Sequence, residues 1–223
     1  MKRNIFLLCT IVTLASCSVT KYPLKHEAYN KIYEEKPLTI MAMPPINRST
    51  KVEAKELFYS SLTVPLTQKG YYVMPPLLSM EILKEESAYD AELLMDYSMK
   101  NVGELFGVDA VLFTIIHDWS KTTLASQVRV NIEYILKSTK SDEILFNRQG
   151  NITLNITSSA GGLIGLATSM IATALTKEIS VGRNCNIFTL SDIPEGKYGP
   201  KFMLDGEEYS GPKEINEVIN QNY

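Results

Sequence analysis

The chain has little of what enzyme sites are commonly built from. Its 223 residues include two histidines, three cysteines and one tryptophan. So few imidazoles and thiols leave no zinc-ligand spacing, and neither a metal nor another cofactor is expected. No serine sits in a Gly-x-Ser-x-Gly turn, so no hydrolase nucleophile is placed. Gly161, Gly162 and Gly165 lack the following Lys-Ser or Lys-Thr of a phosphate-cradling loop. The adjacent carboxylates Glu34-Glu35, Glu85-Glu86 and Glu207-Glu208 read as solvated pairs. A dominant charge is missing as well, with 22 basic residues against 25 acidic ones. Nucleic-acid binding, which requires a basic face, is therefore not expected. No catalytic residue is assigned, and the chain is expected not to be an enzyme.

What is present begins at the amino terminus, where residues 1–16 read as an export signal. Lys2 and Arg3 supply positive charge, and Ile5 to Leu14 an apolar core shorter than the roughly 20 residues that span a bilayer. Leu14-Ala15-Ser16-Cys17 then places a branched apolar residue and two small ones before a cysteine, which is the lipobox pattern. Leu14, Ala15 and Ser16 are the expected signal-peptidase recognition residues and Cys17 the lipidation site. The thiol is the nucleophile that receives the diacylglyceryl group, and the small neighbours admit the peptidase. Each buried acyl methylene contributes about 0.8 kcal/mol, so a multiply acylated cysteine anchors stably. Ser18, in place of aspartate, matches outer-membrane sorting in enteric bacteria. Loss of the signal leaves 20 basic and 25 acidic residues. Cys9 departs with the signal and Cys17 is consumed by lipid, so Cys185 has no disulfide partner. It reads as a small buried apolar residue, with a reactive thiol as the second reading.

Residues 17–37 read as a polar, lipidated tether broken by Pro23 and Pro37, either extended to at most about 60–70 Å or partly ordered against the domain. Residues 38–223 read as a single α/β domain with helices on a small mixed sheet. Leu38 to Met43 and Tyr71 to Met74 are short strands, each stopped by two prolines. Between them Val52 to Lys69 has helical spacing, capped by Ser49 or Thr50, kinked by Pro65 and stopped at Gly70. Helices are expected at Leu77–Lys84, at Ala91–Met99 with Leu93, Leu94 and Tyr97 inward, and at Val102–Gly107. Ala110 to Ile116 is continuously apolar, as a strand covered on both faces would be. Gln127 to Leu136 alternates and pairs with a return strand from Glu143 through Ile156, giving a long antiparallel hairpin.

Gln149 to Thr176 carries no charge, and its second half is apolar on nearly every face. Three readings stay open for this helix near 161–176: a buried core or subunit-interface helix, a membrane-contacting segment, or a span. Gly161, Gly165 and Ser169 at four-residue spacing allow close helix approach. Gly161, Gly165, Leu166, Met170 and Ile171 are the candidate interface residues. Beyond it the tail is loop-rich around Ile193–Pro200 and Tyr209–Pro212, with a short helix expected over Lys213–Asn220. His117-Asp118-Trp119 is the one tempting polar cluster, and it reads as structural, with His117 bonded to a neighbour at the sheet rim.

The lipobox is joined by Thr39-Ile40-Met41-Ala42-Met43-Pro44-Pro45 with Asn47, by Gly70-Tyr71-Tyr72-Val73-Met74-Pro75, and by Leu105-Phe106-Gly107-Val108-Asp109-Ala110-Val111-Leu112. This combination resembles curli-secretion-type envelope lipoproteins. Within that group it looks most like a family of bacterial envelope lipoproteins of unknown function whose described member is a neisserial surface antigen. Ile193-Pro194-Glu195-Gly196-Lys197-Tyr198-Gly199-Pro200 fits that family too. The resemblance implies a fold like the amino-terminal domain of TolB and a periplasmic life without catalysis. It also implies association with a channel-like lipoprotein and a small companion lipoprotein, and it carries over no site residues. The expected function is a non-enzymatic, lipid-anchored subunit of an envelope secretion, transport or assembly complex. The alternative is an outer-membrane lipoprotein that regulates a peptidoglycan synthase. The expected location is the periplasmic face of the outer membrane, with other envelope lipoproteins as partners, homo-oligomerisation allowed and no nucleic acid.

Overall fold

Proline pairs end the two short parallel strands that open the fold, because a proline nitrogen cannot donate to a ladder. The computed structural model describes residues 22–85, 90–122, 127–157 and 166–222. Strand β1 (Thr39–Ala42) stops before Pro44-Pro45, and β3 (Tyr72–Val73) before Pro75-Pro76. The two pair in parallel, Thr39 beside Tyr72. Strand β2 (Ile46–Asn47) follows β1. The helix expected between β1 and β3 is two helices, α3 (Ala54–Ser61) and α4 (Thr63–Gln68), parted at Leu62. Pro65 explains the break, since its ring lacks an N–H and crowds the carbonyl of Ser61. Neither Ser49 nor Thr50 caps α3; the Ser49 hydroxyl instead donates to Asn47 Oδ1 at 2.7 Å.

Among the described residues the sheet has seven strands, in the order β3-β1-β4-β5-β6-β7 with β2 paired to β4 off this path. Its centre is β4 (Ala110–Thr122), β5 (Gln127–Ser138) and β6 (Ile144–Thr157), a continuous antiparallel meander containing the predicted hairpin. Residues 110–116 of β4 are all buried, and apolar side chains alternate between the two faces. Ala110, Leu112 and Ile116 join the cluster under α2 (Asn30–Glu35), α3, α4 and α8 (Leu166–Thr189). Val111, Phe113 and Ile115 join a second cluster with Met41, Met43, Leu83 and Met99. That second face is covered by α5 (Pro76–Glu85), α6 (Ala91–Leu94) and α7 (Lys100–Phe106). β5 alternates buried and half-exposed residues because only one of its faces is fully covered.

Three expectations change. Helix α6 is one turn long rather than running to Met99, and Leu93 and Tyr97 are exposed. Tertiary contacts end it: Lys137 Nζ donates to the Met95 carbonyl at 2.9 Å, and Asp142 takes the Met99 N–H at 2.6 Å. Residues 213–220 are not helical. Glu214–Asn222 is strand β7, parallel to β6 over nine residue pairs. Ile215, Val218 and Ile219 mimic a helical stripe, yet β-branched residues and asparagines are poor helix formers, and β6 offers a ladder. Finally, of the expected tether, Lys25–Ala28 (α1) and α2 are helical, with Tyr29 and Ile32 buried against the domain.

Helix α8 lies close against α3, where Gly182 faces the Leu57 carbonyl; a methyl there would sit 2.8 Å from that oxygen. Val181, Cys185 and Leu190 fill the core beside it. No helix of the described residues is long and apolar enough to cross a membrane. A second close approach is at Gly70, where φ is +79° and Tyr198 N donates to its carbonyl at 3.0 Å. A side chain there would meet the Tyr198–Gly199 backbone. Gly70→Ala is expected to destabilise the fold by about 2–3 kcal/mol, read as a lower urea midpoint with an unchanged slope.

Candidate functional site

Two buried polar knots fasten the turn-rich segment 190–212 to the start of the fold. In the first, Tyr29 donates its hydroxyl to Asp192, and Gly211 N donates to the same carboxylate at 2.8 Å. Arg148, buried on β6, donates Nε to the Pro212 carbonyl at 3.0 Å and Nη1 to Ser191 Oγ at 3.1 Å. In the second, Asp205 accepts from the Tyr33 hydroxyl at 2.9 Å and from Glu195 N at 3.0 Å. Lys25 stands 3.8 Å from Asp205 and 3.0 Å from Glu208, which also pairs with Lys201 at 2.6 Å. Burial, then the bonds to Asp192 and Asp205, push both phenols far above their ordinary range, so they remain protonated donors.

Sequence reasoning missed these knots. The available signal was Tyr29 and Tyr33, four residues apart and so on one side of the helical segment. Glu208 also departs from the solvated reading given to Glu207-Glu208. Hydrogen bonds from Lys201 and then Lys25 hold its carboxyl at about 2, below the ordinary 4.5. A depressed carboxyl stabilises the fold above its unfolded value and loses that contribution as pH falls toward the folded value. The stability difference between wild type and Glu208→Gln should therefore be present at pH 6 and vanish between about pH 5 and 2, as followed by urea melts across that window. Glu208 is substantially exposed, so the difference is expected to be small.

His117 occupies an irregularity in β4, where the pairing with β5 steps from Ile116↔Ile132 to Asp118↔Asn131. It is the extra residue of a bulge. Its Nε2 lies 3.0 Å from Glu133 Oε2, and the other oxygen of Glu133 accepts from Asn147 Nδ2 at 2.9 Å. Asp118 is exposed, and Trp119 is buried edge-on to Phe58 at a centroid distance of 5.8 Å. The cluster contiguous in sequence is thus split across the sheet, and His117 serves a polar lattice.

That lattice continues over the open face of β5, β6 and β7. Gln149 donates to Asn131 at 2.8 Å, Asn131 to Asn151 at 2.7 Å, and Asn151 to Glu214 at 2.7 Å. Asn155 donates to Asn220 at 2.6 Å. A cleft of about 380 Å³ lies at the carboxyl ends of β1 and β2, lined by Pro44, Pro45, Asn47, Lys55, Asp90 and Glu92. Its carboxylates are engaged: Asp90 accepts from Glu92 N at 3.0 Å, and Glu92 pairs with Arg48 at 2.7 Å. Among the described residues no group of three or more His, Cys, Asp or Glu could hold a metal ion.

Of the sequence-predicted site residues, Leu14, Ala15, Ser16, Cys17, Gly161 and Gly165 lie outside the described residues. Leu166, Met170 and Ile171 lie on α8, their side chains outside the described ones. Cys185 is fully buried, and burial pushes its thiol well above the usual range. A maleimide should leave Cys185 unmodified in the native protein and label it in urea, checked by intact mass.

The family described as Putative lipoprotein GNA1162-like matches residues 27–190. A relative, Putative lipoprotein NMB1124/NMB1162 of Neisseria meningitidis serogroup B, is 26% identical over 182 residues, which are 81% of this chain and 84% of that one. The crystal structure of lipoprotein GNA1162 from Neisseria meningitidis is 25% identical, with a TM-score of 0.49 over 65% of this chain and 99% of that one. A PelC dodecamer structure from Paraburkholderia phytofirmans is 13% identical, with a TM-score of 0.43 over 69% of this chain and 86% of that one.

Proposed function

The chain belongs to the GNA1162-like lipoprotein family, and from that premise we propose that it is a non-enzymatic, lipid-anchored subunit of a bacterial envelope secretion, transport or assembly complex. Residues 1–16 are the signal, cleaved after Leu14-Ala15-Ser16. Cys17 carries the acyl chains and holds the domain at the periplasmic face of the outer membrane. Its partners are other envelope lipoproteins, a channel-like one included, and residues 161–175 are a contact surface.

The observation that carries this reading is how soon after Cys17 the folded body begins. Leu24 is already bridged to Tyr209, and Lys25 is buried. Six residues, 18–23, separate the lipobox cysteine from Leu24, and the seven steps between them reach roughly 25 Å at full extension. A body held so close works on partners in or beside its own membrane. Regulation of a peptidoglycan synthase, the second reading, requires a longer stalk to reach the wall. The absence of catalysis is supported by how the buried polar groups are used: Arg148, Asp192 and Asp205 bond to the chain's own backbone and side chains.

Labelling with an alkynyl fatty acid, followed by detergent-phase partitioning, tests the anchor. Wild type should carry the label and enter the detergent phase, and Cys17→Ser should lose both properties. A Cys17→Ser variant that keeps the label would refute the assignment. Affinity capture of the lipidated protein from solubilised envelopes tests the function. Recovery of a channel-like lipoprotein supports it, whereas recovery of a wall synthase in its place would overturn it.

A further inference from the structure

Strand β7 ends the sheet, and its outer edge has no strand beside it among the described residues. One bond shows which groups it offers. Gln149 N donates to the Lys213 carbonyl at 2.8 Å. In a parallel ladder alternate residues turn both backbone groups to the same neighbour, so Ile215, Glu217 and Ile219 serve β6. Glu214, Asn216, Val218 and Asn220 therefore point their N–H and C=O groups away from the sheet. Edges of this kind are ordinarily blunted by proline, lysine, bulges or short length. Glu214–Asn222 is nine residues long, contains no proline, lysine or arginine, and pairs with β6 without a register shift. Its midpoint is Val218, an aliphatic residue 65% exposed.

We propose that this edge pairs with a second copy of the chain, antiparallel, about a two-fold axis at Val218. The self-complementarity of the strand selects this occupant and this register. Centring on residue 218 pairs all nine residues and sets Val218 against its own copy. It places Asn216 opposite Asn220, Glu217 opposite Ile219, and Glu214 opposite Asn222. No glutamate meets a glutamate. A parallel, in-register pairing would instead align each Glu217 with its own copy, which is repulsive, and would not close into a dimer. Asn216 already accepts from Asn151 at 3.2 Å, so the amide lattice of the open face would run on into Asn220 of the second copy. Val218 offers both backbone groups outward, so the central pair is a hydrogen-bonded one with Cα atoms about 5.5 Å apart, within disulfide reach.

The inference goes beyond the anchored-subunit reading and can fail without it. The test uses the full-length protein in mild detergent. Val218→Cys should form a disulfide dimer on mild oxidation, helped by the burial of Cys185. Asn216→Cys alone should not, while an equimolar mixture of Asn216→Cys and Asn220→Cys should. Val218→Lys, an exposed change that leaves the β6 pairing intact, should weaken the dimer about tenfold or more without moving the melting temperature at dilutions where both proteins are monomeric. Equal cross-linking of Val218→Cys and Asn216→Cys would overturn the proposal. So would wild type that stays monomeric up to about 100 µM by light scattering, or an undiminished Val218→Lys dimer. Membrane partitioning is read separately, so a monomer that still enters the detergent phase refutes the pairing and spares the anchor.

Discussion

A buried arginine in the first half of β6 sets the course of the last third of the chain. A guanidinium withdrawn from water is costly unless its five donors find acceptors. Arg148 finds them in the Thr189 and Pro212 carbonyls and the Ser191 hydroxyl. Those acceptors lie where α8 ends and where the segment leading to β7 begins. The helix must therefore stop beside Arg148 and the chain must return to it before β7 can add to β6. Asp192, between Tyr29 and Gly211, ties the same turn to the first helices. The amino-terminal helices, the turn-rich segment and the final strand thus depend on one another through a few polar contacts, although they are far apart in sequence.

The sheet divides into two regimes. Around β1, β2 and β4 both faces are covered by helices, and the core there is two-sided. Toward β6 and β7 one face carries glutamate, glutamine and asparagine side chains bonded to one another. This is a surface whose order comes from side-chain amides and whose backbone groups are paired within the sheet up to β7.

The regimes were legible wherever burial writes itself into local pattern. The unbroken apolar run of β4 and the alternation of β5 reported coverage correctly, and the proline pairs marked the ends of β1 and β3. Failures occurred where a distant partner decided the outcome. Helix α6 stops at Leu94 and does not run to Met99, where Lys137 and Asp142, in and just after β5, take the Met95 carbonyl and the Met99 N–H. Residues 214–222 are extended because β6 is beside them, against a spacing that reads as helical. The partner of His117 was unreadable for the same reason, since Glu133 is brought to it only by the pairing of β4 with β5. Cys17 is the opposite case: the lipidation proposed for it rests on a pattern of four adjacent residues and draws on no contact of the fold.

The bulge at His117 has a further consequence for the phase of the strand. A regular strand sends residues 116 and 119 to opposite faces, yet Ile116 and Trp119 belong to the same cluster. The inserted residue resets the alternation, so the rest of β4 is read in the opposite parity. Trp119 can then stack edge-on against Phe58 beneath the helices instead of facing solvent with the amides. The extra residue works as a half-period offset, and a chain of this fold lacking it would have to invert its polar and apolar positions from 118 onward.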